Sequence, residues 1–177
     1  MSRSVLLLRA VNVSGRNRVP MAELRSALND AGVLDDVSTY IASGNVICET
    51  PSDPDAARSR VRALIAEEFD VDTSVIHRSH AELAAAVAEH PFPDASEKML
   101  HAMFLESDAR DGAVEALTER LVPGERVALV GRELWVDYGE GGVQNTRLTK
   151  AVLDRALGVA GTARNLRTVR TLVELSA

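Results

Sequence analysis

Four separated segments of the chain carry residues suited to binding an anion. Two lie in the first third of the sequence: the polar segment Asn12–Arg18 and the short turn Ser43-Gly44-Asn45. Two lie near the C-terminal end: Asn145–Lys150 and Gly161–Thr168. All four contain small or polar turn-forming residues, and three add arginine or lysine. Main-chain amides and guanidinium groups are donors that proteins use to hold phosphate and carboxylate.

The first segment follows an apolar run and precedes a helix that we expect to begin at Pro20. Main-chain N–H groups in such a loop can point at an anion, and Arg16 and Arg18 add charge and forked donors. The segment lacks the spacing and the Lys-Ser/Thr ending of a phosphate-binding loop, so it is not a nucleotide fingerprint. The alternative interpretation of Asn12–Arg18 is an ordinary connecting loop. For Ser43-Gly44-Asn45 the alternative is a hairpin turn, because glycine and asparagine are common turn residues.

The two C-terminal segments predict helices whose first turns are basic. We predict that Thr146 caps a helix over residues 148–157 and that Thr162 caps the last helix. Cations near a helix N-terminus oppose the helix dipole, at roughly 0.3–1 kcal/mol each. A bound anion would turn this cost into a gain, and so would a neighbouring acidic surface. The basic residues expected in these turns are Arg147, Lys150, Arg164 and Arg167.

We therefore expect folding to gather these segments into one basic cleft between two lobes, where a small anionic or phosphorylated ligand binds. The spacing of histidines and acids indicates neither a metal site nor a catalytic set, and no cofactor is expected. The predicted ligand-binding residues are Arg9, Asn12, Arg16, Asn17, Ser43, Asn45, Arg147, Lys150, Arg164, Asn165 and Arg167.

The elements that must position these residues are predicted from apolar periodicity and turn signals. A buried strand over residues 4–11 precedes the Pro20 helix, and two short strands flank Ser43-Gly44-Asn45. Asp53-Pro54 opens the next helix, and residues 71–78 form a strand. The resulting order, β-α-β-β-α-β, is the split βαβ pattern of ferredoxin-like folds.

The second half of the chain predicts the order α-β-α-β-β-α-α. A capping-box pattern, Ser79-x-x-Glu82, starts its first helix, and Gly131-Arg132 joins two strands as a hairpin turn. Its β-α-β-β-α core repeats the element order of the first half. The sequence thus predicts an α+β protein with two ferredoxin-like (split βαβ) lobes in tandem, residues 1–80 and 81–177.

The composition of the 177 residues is that of a globular protein, with 46% hydrophobic residues, 26% charged residues and a net charge of −6. Apolar runs are too short to cross a bilayer. Cys48 is the single cysteine, which excludes an internal disulfide and predicts a reducing, cytoplasmic location. The charge is uneven, because residues 1–18 contain four arginines and no acid.

Three other functions remain open at this point. The acidic balance and the scarcity of aromatic residues (3%) argue against nucleic acid as a partner. An enzyme would need an acid such as Glu23 or Asp137 to face the basic cleft. A scaffold or homodimer would pair the basic ends of the chain with its acidic middle.

Several motifs together resemble a known family, DUF1697. Leu7–Met21 resembles its opening motif, and Thr39–Val46 is similar to its second motif. The later similarities are Pro91-Phe92, Phe104-Leu105, Thr146–Thr149 and Thr162–Asn165. The resemblance implies a bacterial, cytosolic, two-lobed protein built of ferredoxin-like units, with no established activity and no catalytic residues to transfer. Ala10 and Ser14 stand where this family usually has glycine.

Overall fold

The structure, a computed structural model, describes residues 2–177. The first half contains β1 (Arg3–Leu8), α1 (Met21–Asp30), β2 (Ser38–Tyr40), β3 (Asn45–Glu49), α2 (Pro54–Phe69), β4 (Val75–Ser79) and α3 (His80–Glu89). The second half contains β5 (Leu100–Leu105), α4 (Ala113–Thr118), β6 (Arg126–Val130), β7 (Glu133–Asp137), a 3₁₀ turn (Val143–Asn145), α5 (Lys150–Leu157), β8 (Gly161–Asn165) and α6 (Leu166–Leu175).

The strands form two four-stranded antiparallel sheets with the same topology. Their orders are β2-β3-β1-β4 and β6-β7-β5-β8. In each sheet the first strand of its half lies in the middle, and the last strand pairs along its outer side. This is the ferredoxin-like arrangement, so the predicted α+β class with two such lobes is confirmed.

The chain divides into two compact units. Unit 1 comprises the residues up to Ala84 together with Leu172–Ala177, and unit 2 comprises Ala85–Thr171. Helix α6 therefore begins in unit 2 and ends in unit 1.

The core of unit 1 lies between one face of its sheet and helices α1 and α2. Alternate strand residues face this core, including Leu6 and Leu8 of β1 and Val46 and Cys48 of β3. The intervening β1 residues, such as Val5 and Leu7, are equally buried, which is why the run is apolar without alternation. The start of α2 follows its sequence signal, since Pro54 is its first residue.

The core of unit 2 uses the equivalent strand faces. Met103 and Leu105 of β5 and Leu134 and Val136 of β7 pack with helices α4 and α5. Strands β6 and β7 are joined by Gly131-Arg132, and Gly131 has a left-handed φ of 58°, as the predicted hairpin requires.

The segment Gly161–Asn165 differs from its prediction. Thr162 does not cap a helix; it lies in strand β8 and pairs with Phe104 of β5. The helix cap is Asn165, whose Oδ1 accepts a hydrogen bond from the Thr168 amide at 2.9 Å. Three of its five residues, Gly161, Ala163 and Asn165, have low strand propensity, so its strand state depends on pairing with β5.

The start of α5 also differs from its prediction. The helix begins at Lys150, and Thr149 caps it by accepting from the Val152 amide at 3.3 Å. Thr146 instead accepts from the Leu148 amide at 3.0 Å, which makes a local turn before the helix. Thr146 and Thr149 both precede the helix and both could cap it, and in the structure Thr149 is the cap.

Helix α2 is the longest described helix, with 16 residues. Charged side chains occupy its exposed side, while Ala57, Val61 and Ile65 are buried. Among residues 2–177, no helix combines the length and the apolar character that crossing a membrane requires.

Candidate functional site

The connection between β1 and α1, residues 9–20, is named here the β1–α1 loop. Four of its non-glycine residues have left-handed backbone conformations, with φ between 50° and 54°. They are Ala10, Asn12, Ser14 and Asn17. Such conformations cost L-residues free energy, roughly 1–2 kcal/mol each, and persist only where the surroundings impose them. The two positions where the DUF1697 family usually has glycine, Ala10 and Ser14, are both among them.

The tip of the loop is a miniature hairpin. The Arg16 amide donates to the Val13 carbonyl at 2.9 Å, and the Asn12 amide donates to the Asn17 carbonyl at 2.9 Å. Ser14 and Gly15 lie between them, both with positive φ, as in a type I′ turn. Among residues 2–177, the Ser14 and Gly15 amides find no hydrogen-bond acceptor. Two exposed donors therefore stand at the tip.

Two asparagine side chains hold the loop in place. Asn12 Nδ2 donates to the Val19 carbonyl at 2.9 Å and to the Ala42 carbonyl at 2.7 Å. Asn12 Oδ1 accepts from the Val19 amide at 2.8 Å. Asn17 Nδ2 donates to the Ala10 carbonyl at 2.9 Å. Asn12 and Asn17 thus fix the backbone of the candidate site, and both side-chain polar atoms of Asn12 are already used in doing so.

The predicted turn Ser43-Gly44-Asn45 lies beside this loop. The Leu8 amide donates to the Gly44 carbonyl at 2.8 Å. Asn45 is buried and donates from Nδ2 to the Tyr40 carbonyl at 2.9 Å and to Ser43 Oγ at 3.2 Å. Ser43 and Asn45 thus shape the turn, and Asn12, through Ala42, ties it to the loop.

The loop carries positive charge without compensating acids. Arg16 and Arg18 are exposed, and neither forms an ion pair with any residue of the described chain. Arg9, at the start of the loop, is half-buried, and its main chain is held by Thr73, whose Oγ1 accepts from the Arg9 amide at 3.1 Å. Arg18 was not among the predicted ligand-binding residues, although the sequence analysis noted its charge beside Arg16 in the same segment. Thr73 carried no signal, because it is 64 positions away.

Two exposed apolar side chains lie in the β1–α1 loop and in the neighbouring turn before β3. Val13 of the β1–α1 loop is 54% exposed and Ile41, in the turn before Ser43, is 47% exposed. Ile41 also has a left-handed φ of 49°, which is rare for a β-branched residue. The surface formed here therefore combines free amides, guanidinium groups and apolar side chains.

The predicted residues of unit 2 occupy three different settings. Lys150, in the first turn of α5, pairs with Asp154 at 3.0 Å, so that the helix supplies its own counter-charge. Arg147 is exposed in the segment before α5. Arg167 is exposed in the first turn of α6, and its amide donates to the Glu97 carbonyl at 3.3 Å.

Arg164 is not in a helical first turn, as the sequence predicted, but in strand β8. It is only 6% exposed, and its Nη1 donates to Thr162 Oγ1 at 2.8 Å and to the Ala163 carbonyl at 2.9 Å. Burial lowers the pKa of Arg164 to about 10. Arg164 therefore does not oppose a helix dipole, contrary to the sequence prediction, because it lies in a strand.

Within unit 2 the predicted residues do not form one cluster. Arg164 pairs with Ala102 of β5, while the neighbouring Met103 and Leu105 face the core formed with α5. Arg164 and α5 therefore lie on opposite faces of the sheet. Asn165 is engaged in capping α6. The convergence of the residues of the two units in one cleft stays a prediction.

The acids and histidines considered as catalytic candidates have structural partners or settings. Asp137 is buried and accepts from Arg126 Nη2 at 2.7 Å and from the Gly139 amide at 3.0 Å. Glu23 is exposed in the first turn of α1, where it favours the helix dipole. His77 and His101 are half-buried on strands, and burial lowers the pKa of both.

The fold and the site together define a class: an α+β protein of two ferredoxin-like units with a basic β1–α1 loop held by internal hydrogen bonds. The family model for a protein of unknown function, DUF1697, matches residues 1–135. The chain belongs to this family, as its motifs indicated.

A solved structure supports the same fold. The chain is similar to the conserved bacterial protein SP0830 from Streptococcus pneumoniae, with a TM-score of 0.76 and 24% sequence identity over 99% of both chains. At this identity the similarity establishes the fold. No curated protein is similar enough in sequence to count as a match.

Proposed function

We propose that the protein binds a small anionic or phosphorylated ligand at the tip of the β1–α1 loop. The observation that carries this proposal is that two exposed amide donors, at Ser14 and Gly15, lie in the same loop as two guanidinium groups. These belong to Arg16 and Arg18, which form no ion pair within residues 2–177. Left-handed residues at alternating positions are a component of the main-chain nests that bind anions. A phosphate oxygen accepts well from both kinds of donor.

The rigidity of the loop supports the same function. Asn12 and Asn17 fix the backbone without a ligand, so binding loses little conformational entropy in ordering the loop. Strained backbone is characteristic of sites where a function maintains it. The ligand we propose is small, because the chain as a whole is acidic, with a net charge of −6. We place this binding in the cytoplasm, where the single, buried Cys48 stays reduced.

The experiment is a phosphate titration followed by amide NMR. Inorganic phosphate and pyrophosphate are expected to shift the Ser14, Gly15 and Arg16 amide resonances in a saturable way. The double variant Arg16→Gln/Arg18→Gln is expected to weaken this binding tenfold or more, because it removes two charge-assisted donors.

The charge control is Arg60→Gln/Arg62→Gln, which also removes two positive charges from unit 1, at exposed positions of α2 where Arg62 pairs with Asp72 and Arg60 donates to the Gly32 carbonyl. It is expected to retain wild-type binding. Equal losses in both double variants would mean that net charge alone attracts phosphate. Saturable shifts elsewhere in the chain, or binding of a short RNA that phosphate does not displace at physiological salt, would contradict the proposed site.

A further inference from the structure

Unit 2 contains a groove that none of the predicted ligand-binding residues lines. It lies between α4 and α5 and has a volume of about 630 Å³. This volume is in the range of small-molecule sites, roughly 300–1,000 Å³. The apolar side chains of its lining are Ala116 from α4 and Ala151, Val152 and Ala156 from α5. Because three of these four side chains are methyl groups, the helices leave space between them.

Three arginines surround this apolar surface. Arg110 precedes α4, Arg120 follows it, and Arg155 is in the last turn of α5. Arg110 is fixed to the end of α5, because its amide donates to the Leu157 carbonyl at 2.8 Å and its Nη1 to the Arg155 carbonyl at 3.4 Å. The arginine side chain also lies against Gly158, where a Cβ would stand 3.1 Å from the guanidinium group.

The other two arginines have no partner. Arg120 and Arg155 are exposed, and neither makes an ion pair or a side-chain hydrogen bond to any residue from 2 to 177. This holds although two acids, Asp111 and Glu119, line the same groove. Three guanidinium groups against two carboxylates leave the groove with one net positive charge.

We propose that this groove binds a small amphipathic anion, with a carboxylate or phosphate head and a short hydrocarbon or aromatic body. The head takes the unpaired guanidinium groups of Arg120 and Arg155, which offer forked donors to two oxygens. The body lies on Ala116, Val152 and Ala156. This site is in a different unit from the β1–α1 loop and does not depend on the proposed function.

The charge of the groove defines the ligand further. A single net positive charge favours a carboxylate head, with one negative charge, over a phosphate monoester, which carries nearly two at neutral pH, because Asp111 and Glu119 repel a second negative charge. The apolar part of the lining excludes a bare inorganic ion as the best ligand, since such an ion leaves that surface in contact with water. An anion with a hydrocarbon body satisfies both parts of the site.

The experiment is a titration of the full chain with four probes, followed by amide NMR and calorimetry. Hexanoate and hexyl phosphate carry both parts of the proposed ligand, acetate carries the head alone, and hexanol carries the body alone. Hexanoate or hexyl phosphate is expected to shift α4 and α5 resonances and to bind at least tenfold more tightly than acetate and hexanol. The ratio of the dissociation constants of hexanoate and hexyl phosphate distinguishes a carboxylate ligand from a phosphate ligand.

Charge variants of opposite sign make the test specific. Arg120→Gln and Arg155→Gln are each expected to weaken binding of the better probe fivefold or more. Glu119→Gln is expected to tighten it about two- to fivefold, because it removes repulsion. Ala116→Leu is expected to weaken binding by narrowing the groove between α4 and α5, with all charges retained. The control is Lys98→Gln, an exposed residue of unit 2 outside the groove, which is expected to change nothing.

The proposal is overturned if hexanol binds as tightly as hexanoate, since the groove would then be an apolar surface only. It is also overturned if both arginine variants match Lys98→Gln, or if the shifts map outside α4 and α5. All the charge variants are at exposed positions, so each is expected to fold, and the thermal midpoint of each variant checks this directly.

Discussion

Individual asparagine and glycine residues decide whether the β1–α1 loop has its observed conformation. Asn12 makes three hydrogen bonds to main-chain atoms from a left-handed backbone position. Asparagine is among the residues that tolerate this conformation, because its short polar side chain can hydrogen-bond locally. Gly44 has a different role, since it lets the neighbouring turn approach β1 closely.

Gly44→Ala is expected to lower the free energy of unfolding by about 2–4 kcal/mol, which combines overpacking with left-handed strain. The new Cβ would stand 2.7 Å from both Leu8 Cβ and Val11 Cγ2, at a φ of 88°. Gly15→Ala is the matched control, because its φ is 75° and nothing lies within 4 Å of its added Cβ. We expect the control to cost about 1–2 kcal/mol. Urea denaturation measures both, and equal losses would contradict a close approach at Gly44.

The helices begin next to their capping residues, and helix starts were the features that the sequence predicted most reliably. Ser79 and Glu82 form the predicted capping box: the Ser79 amide donates to Glu82 Oε2 at 2.8 Å, and the Glu82 amide donates to Ser79 Oγ at 3.2 Å. Asp53 caps α2, as Asp53-Pro54 indicated. The signal misled at Thr146, where a second cap-forming residue, Thr149, is close by, and at Thr162, which lies in strand β8.

Asp53→Ala is expected to lower the free energy of unfolding by about 1 kcal/mol, the usual value of an N-cap. Asp53 Oδ1 accepts from the Asp55 amide at 3.1 Å and from the Ala56 amide at 3.0 Å, and both amides lose this acceptor. Ser52→Ala, one residue earlier and exposed, is the control and is expected to change stability by less than about 0.5 kcal/mol. A loss in Ser52→Ala as large as that in Asp53→Ala would show that Asp53 is not the cap.

The molecule as a whole repeats one architecture with two different sequences. The repetition extends to a pair of buried arginines, Arg78 in β4 and Arg164 in β8, which pair with Val5 and Ala102 of the central strands. Each Nη1 donates at 2.9 Å to the carbonyl of the preceding residue. Each strand then ends at a residue that caps the following helix, Ser79 and Asn165. This equivalence is not evident without the strand register.

The end of α6 belongs to unit 1, and Leu172→Ala tests this assignment. Leu172 is fully buried, so its truncation is expected to cost about 2–5 kcal/mol. Hydrogen exchange is expected to report the loss of protection first in β1 and β4 of unit 1. The control is Leu175→Ala in the same helix, where Leu175 is 46% exposed and the expected cost is below about 0.5 kcal/mol. Loss of protection confined to β5–β8 would contradict the assignment.

The sequence by itself determined the α+β class, the split βαβ order, most helix starts and the hairpin turns. These features depend on neighbours within a few positions, where periodicity, caps and turn residues act. It also located the β1–α1 loop, because glycine, asparagine and arginine there follow a buried strand.

Only the tertiary structure decided the state of Gly161–Asn165, the burial of Arg164 and the support of Arg9 by Thr73. Each depends on a partner far away in the chain: β5 pairs with β8, and Thr73 lies 64 positions from Arg9. The groove between α4 and α5 likewise exists because two helices distant in sequence pack with small side chains between them. Local propensity cannot specify such contacts, since their free energy arises from pairing and burial between segments that the sequence separates.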